Sequence, residues 1–146
     1  MAAEPDAERQ GPLPPTRQVT ANLPAEPESA RQARHFVVAT LRQAGCMDQD
    51  LLDRLAIVTS ELVTNAILHA RTDIEVRVSL DGAAISIEVL DGTSTQLRRV
   101  APLPEDTGGR GLVLVDGLVD EWGVVELERK HDGAKAKKVW IRVAGA

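Results

Sequence analysis

Two hydrophobic periods divide this chain, and their order restricts the folds open to it. From Pro27 to about Ala70 apolar residues recur at spacings of three and four, the period of an amphipathic helix; from Ile74 to Val89 they recur at every second position, the period of a half-buried strand. The helical part splits at Gly45, which ends a first helix near Ala44, while Pro27 suits that helix's first turn. Ala33, Val37, Leu41 and Ala44 form one stripe to be buried, and Arg31, Arg34 and Arg42 occupy other faces. A second helix is predicted from about Asp48 to Ala70, opened by Asp48, Asp50 and Asp53 near its positive dipole end. Its stretch from Leu55 to Ala70, LAIVTSELVTNAILHA, is apolar on nearly every face, which predicts a helix enclosed over much of its circumference.

In the strand part, Ile74, Val76, Val78 and Leu80 alternate with Glu75, Arg77 and Ser79, and Ile85, Ile87 and Val89 alternate with Ser86 and Glu88. Asp81-Gly82 between the two runs marks a hairpin. Before the helices, Gln18 to Leu23 reads as a short edge strand. From Gly92 to Thr107 periodicity is lost while Pro102, Pro104, Arg98 and Arg99 appear, the composition of a long loop of the lid type. Gly108-Gly109-Arg110-Gly111 closes it, and a third helix is expected from about Leu112 to Glu121, burying Leu112, Val115, Leu118, Val119 and Trp122. Strands from Val124 to Arg129 and from Ala136 to Val143, joined through His131-Asp132-Gly133, complete the pattern. Helices first and antiparallel strands after them give an α+β class. The expected architecture is a two-layer sandwich with about three helices on one face of a mixed, mostly antiparallel sheet.

Six prolines before residue 28 and few residues to bury make 1–16 a flexible tail, with one folded domain over 17–146. With 43% hydrophobic and 27% charged residues the composition is that of an ordinary globular domain, and its core must be aliphatic, because there is no Tyr and one Phe. A net charge of −5 without a dense basic run argues against a nucleic-acid surface. One cysteine and three scattered histidines offer neither an internal disulfide nor a zinc spacing. No apolar stretch is long enough to span a membrane and no leader pattern opens the chain, so the expected location is the cytoplasm.

Glu61, Asn65 and His69 follow one another at i, i+4 spacing and climb one side of the second helix, intruding on the stripe Leu51, Leu55, Val58, Leu62 and Ala66. Polar groups placed there need partners. On one reading Asn65 and His69 bridge backbone groups and Glu61 meets an arginine from another element. On the other, Asn65 offers a neutral amide oxygen to Mg²⁺ and Glu61 orients or deprotonates a hydroxyl nucleophile. Gly108 to Gly111, just before a helix, supply either a hinge or backbone N–H groups for a phosphate. Asp91-Gly92 is either a plain turn or an aspartate that accepts the exocyclic amine of adenine.

Together these segments acquire a family likeness. Glu61-Leu62-Val63-Thr64-Asn65-Ala66-Ile67-Leu68-His69-Ala70 resembles the N-box of the GHKL (Bergerat) ATP-binding fold, in the form used by bacterial anti-sigma factors that are also serine protein kinases. Asp91-Gly92 resembles the first glycine box and Gly108-Gly109-Arg110-Gly111-Leu112 the second, and Val139-Trp140 looks like the closing strand of small actinobacterial members. The resemblance implies ATP and Mg²⁺ as cofactors, with Glu61 as general base and Asn65 as the Mg²⁺ ligand. It further implies Asp91 as the adenine contact, with Gly92 beside it. Gly109 and Gly111 become backbone phosphate contacts, flanked by Gly108, Arg110 and Leu112. It implies a kinase of a Ser or Thr on an anti-sigma factor antagonist of the STAS type, a sigma factor to sequester, and a homodimer paired through its sheet.

Two positions depart from the pattern. The first box, usually Asp-x-Gly-x-Gly, reads Gly92-Thr93-Ser94-Thr95 after Asp91, and Lys138 stands before Val139-Trp140 where similar proteins commonly carry a threonine that helps fix the adenine-bound aspartate. The rival reading is a catalytically degenerate module of the same fold that acts only by protein-protein interaction. A histidine kinase ATPase domain is a further rival, disfavoured by the lack of a phospho-acceptor helical region before residue 17.

Overall fold

The computed structural model describes residues 17–69, 72–91, 97–102, 115–130 and 132–144; the side chains of His69, 97–102 and Arg129 lie outside that description, as does the whole of 1–16. Helix α1 (Glu28–Gln43) buries Ala33, Val37 and Leu41 along the expected stripe. Ala44 is exposed instead, because the chain has already turned away at Gly45, whose φ is +100°. The Gly45 N–H bonds to the Arg42 carbonyl at 2.9 Å and the Cys46 N–H to the Leu41 carbonyl at 2.9 Å, the paired bonds that close a helix through a left-handed residue. Helix α2 (Gln49–His69) opens on Asp48, whose Oδ1 accepts from the Leu51 N–H at 3.2 Å and satisfies one of the orphan donors of the first turn.

Along α2, Leu51, Leu55, Val58, Leu62 and Ala66 are buried as expected, and Leu52, Thr59 and Val63 widen the stripe. The helix is nevertheless enclosed on one side only: Ile57 is 48% and Leu68 72% exposed. A two-layer fold has nothing behind its helices, so apolar residues all round a helix need not all find cover.

The six strands are β1 (Arg17–Leu23), β2 (Ile74–Asp81), β3 (Ala84–Asp91), β4 (Leu97–Pro102), β5 (Glu121–Arg129) and β6 (Lys135–Ala144). They form one sheet in the order β1-β2-β3-β6-β5-β4 with every described neighbour antiparallel. Asp81 pairs with Ala84, and Gly82 (φ +60°) takes the left-handed first position of the tight loop between them. Helix α1 lies against β1 and β2, and α2 against β2 and β3. Ile74, Val76, Val78, Ile85, Ile87, Val89, Val139, Ile141 and Val143 meet the helices in an aliphatic core.

Two expectations fail in the second half. The stretch read as a loop contains β4, an edge strand in which the register shifts between Arg99 and Ala101 and which ends at Pro102. An edge tolerates both the irregular pattern and the proline, because one side of the strand has no ladder to complete. The third helix does not reach Glu121: among the described residues only Val115 and Asp116 are helical, and Glu121 already belongs to β5. Its intended inner side still packs, with Val115 buried and Leu118, Val119 and Trp122 against the core. Among the described residues no helix is long and apolar enough to cross a membrane.

Candidate functional site

Alternation along the strands sorts side chains to the two faces of the sheet, and the row that crosses it at the end of β3 is polar from β3 through β6 to β5. Ile74, first in β2, pairs with Asp91; Asp91 pairs with Lys137; Lys137 pairs with Glu126. Asp91 shares the parity of Ile85, Ile87 and Val89 and so faces the helix layer, and it is 8% exposed. Its Oδ1 accepts from the backbone N–H of Lys137 at 3.0 Å. Helix α2 ends at His69, shortly before Ile74 opens β2, so the last turns of α2 and Asp91 stand at the same end of the domain.

Those last turns carry Glu61 and Asn65, both half-buried. They lie along one edge of the helix, between its covered stripe and the open side of Ile57 and Leu68. Neither side chain forms a hydrogen bond or ion pair among the described residues. Arg34 on α1 donates to the neighbouring Ser60 hydroxyl at 2.9 Å. Glu61 is therefore not held by an arginine of another described element, and Asn65 does not bridge described backbone groups. A neutral amide oxygen one turn from a carboxylate fits a hard cation that takes one or two protein oxygens and keeps its remaining positions for water and phosphate. The His69 side chain, Gly92, Gly108, Gly109, Arg110, Gly111 and Leu112 lie outside the described residues.

Lys138, the expected neighbour of Asp91, turns the other way. Its ammonium meets Glu88 at 3.2 Å on the sheet face away from the helices, within a network where Arg77 bonds Glu75 at 2.6 Å and Glu88 at 3.1 Å. Burial opposes the charge on Arg77, but its bonds to Glu75 and Glu88 and their negative charge outweigh burial and raise its pKa. On this outer face Leu90, Val125, Leu127 and Ala136 form a second apolar cluster with Trp140. The residue that does reach Asp91 is Lys137, through its main chain. Sequence patterning missed it because a backbone donor carries no residue signature.

Where the chain enters β5 it is fastened to α2. Arg54 donates to the Leu118 carbonyl at 3.3 Å, the Trp122 indole donates to Asp116 Oδ1 at 2.7 Å, and the Leu118 N–H bonds to the Val115 carbonyl at 2.9 Å. Asp120 closes the turn onto β6, its N–H on the Arg142 carbonyl at 3.1 Å and its Oδ2 accepting from Ala144 at 2.8 Å.

A family model described as the histidine kinase-like ATPase domain matches residues 23–143. The solved structure of the RsbU and RsbW domains of Rv1364c from Mycobacterium tuberculosis is similar in fold, with a TM-score of 0.64 and 20% sequence identity. That likeness covers 89% of this chain and 33% of the other, so this chain spans about a third of the length of that protein. No curated protein matches the chain in sequence.

Proposed function

Because the chain belongs to the histidine kinase-like ATPase domain family, whose fold binds ATP, we propose that it is an ATP- and Mg²⁺-dependent regulator of the anti-sigma factor type. In this reading it phosphorylates a Ser or Thr of a STAS-type antagonist, and it sequesters a sigma factor when that antagonist is absent. The observation that carries the reading is the pair Glu61 and Asn65: half-buried, one turn apart, without partners among the described residues, and at the same end of the sheet as Asp91.

Asp91 accepts the exocyclic amine of adenine. Asn65 holds Mg²⁺ through its amide oxygen, and the ion, when bound, neutralises phosphate charge. Gly109 and Gly111 offer backbone N–H groups to the phosphates, with Gly92, Gly108, Arg110 and Leu112 alongside. Glu61 orients the acceptor hydroxyl and takes its proton. The hydroxyl oxygen bonds to the γ-phosphorus as the bond to the β,γ-bridging oxygen breaks, and ADP leaves. A homodimer paired through the sheet and a cytoplasmic setting complete the proposal.

Transfer of γ-³²P from ATP to a candidate antagonist tests the reaction. Label on a Ser or Thr with wild type, lost with Glu61→Gln, supports it. The altered first box favours the rival, a degenerate binding module: it predicts no transfer by wild type but an intact complex with the sigma factor.

A further inference from the structure

Three lysines lie close together on β6, and the structure gives them different tasks. Lys135 meets Glu126 at 3.4 Å and Lys138 meets Glu88 at 3.2 Å, each lysine with a carboxylate of the neighbouring strand. Lys137 shares the parity of Val139, Ile141 and Val143, which are buried under the helices, so its side chain leaves the sheet on the Asp91 side. It is half-buried, and its ammonium forms no ion pair among the described residues. Directly across the ladder stands Asp91, whose carboxylate accepts from the Lys137 main-chain N–H.

We infer that Lys137 is a base-reading residue of the nucleotide site, donating from Nζ to the ring nitrogen N1 of adenine while Asp91 accepts from the adjacent 6-amino group. The inference rests on the nucleotide reading above. An acceptor-only carboxylate beside a donor-only ammonium matches the amine and ring nitrogen that adenine presents side by side. A charge-assisted bond of this kind is among the stronger contacts a site offers. The Asp91 contact survives any substitution of Lys137 that keeps the backbone N–H.

The test is titration of wild type, Lys137→Met and Lys138→Met with ATP, 1-deaza-ATP and adenosine. Wild type is expected to bind 1-deaza-ATP about tenfold more weakly than ATP. Lys137→Met is expected to bind ATP about tenfold more weakly than wild type does and to lose the preference over 1-deaza-ATP, with the same factor lost for adenosine. Lys138→Met, altered on the opposite face, should match wild type throughout. Lys137→Met that keeps the preference, or that weakens ATP but not adenosine, overturns the inference, the latter by placing the ammonium on a phosphate. Failure of wild type to bind ATP or adenosine sinks the nucleotide reading itself, a separate result.

Discussion

The main-chain N–H of Lys137 donates to the Asp91 carboxylate at 3.0 Å, so a side chain proposed to read the base is also part of the β3–β6 junction. The two roles separate by substitution. Asp91→Ala leaves the Lys137 N–H without its acceptor and should cost about 1–3 kcal/mol in urea unfolding. Asp91→Asn keeps an Oδ1 acceptor and should cost under about 1 kcal/mol. Both should lose ATP binding, since the asparagine amide can rotate to serve only one of its two neighbours.

Gly123 lies opposite Trp140 in the β5–β6 ladder, and a Cβ on it would come within 2.7 Å of the indole Nε1. Gly123→Ala should therefore displace the ring and destabilise the domain by about 1–3 kcal/mol. Adding Trp140→Ala should recover part of that loss, and a thermal-unfolding double-mutant cycle measures the coupling.

Thr59 is fully buried on α2, and among the described residues its hydroxyl has no hydrogen-bond partner. Valine has nearly the same shape and helix propensity and no polar group to strand. Thr59→Val should raise stability by about 1 kcal/mol in denaturant titration, with the slope unchanged.

At the end of α1, Gly45 holds φ at +100° with open space around its missing Cβ. The cost of Gly45→Ala is then backbone strain alone, about 1 kcal/mol by urea unfolding. Gly45→Asn should cost less, because asparagine enters the left-handed region more easily.

What the sequence made legible follows how local each cause is. The β2–β3 hairpin, the Gly45 stop and the stripe from Leu51 to Ala66 are each set by residues within a few positions, and each stands where the pattern put it. Strand β4 was hidden because an edge strand draws its pairing from β5, far along the chain, and needs no alternation of its own. The exposure of Ile57 and Leu68 depends on how many layers the domain has, which helix periodicity does not encode. Within the candidate site, Glu61 and Asn65 stand out in the sequence by their i, i+4 spacing, and Asp91 by its place at the end of an alternating strand. The choice between Lys137 and Lys138 is not legible there: a one-residue change of register exchanges the two faces, and that register is fixed by pairing with β3 and β5.

The most direct test of the central claim is calorimetric titration of the full chain with ATP, with and without Mg²⁺, beside Asn65→Ala and Glu61→Ala. Mg²⁺-dependent binding by wild type, lost in Asn65→Ala and kept in Glu61→Ala, is the predicted result. No detectable binding by wild type up to about millimolar ATP, weaker than roughly −4 kcal/mol, would contradict the account and leave a partner-binding module in its place.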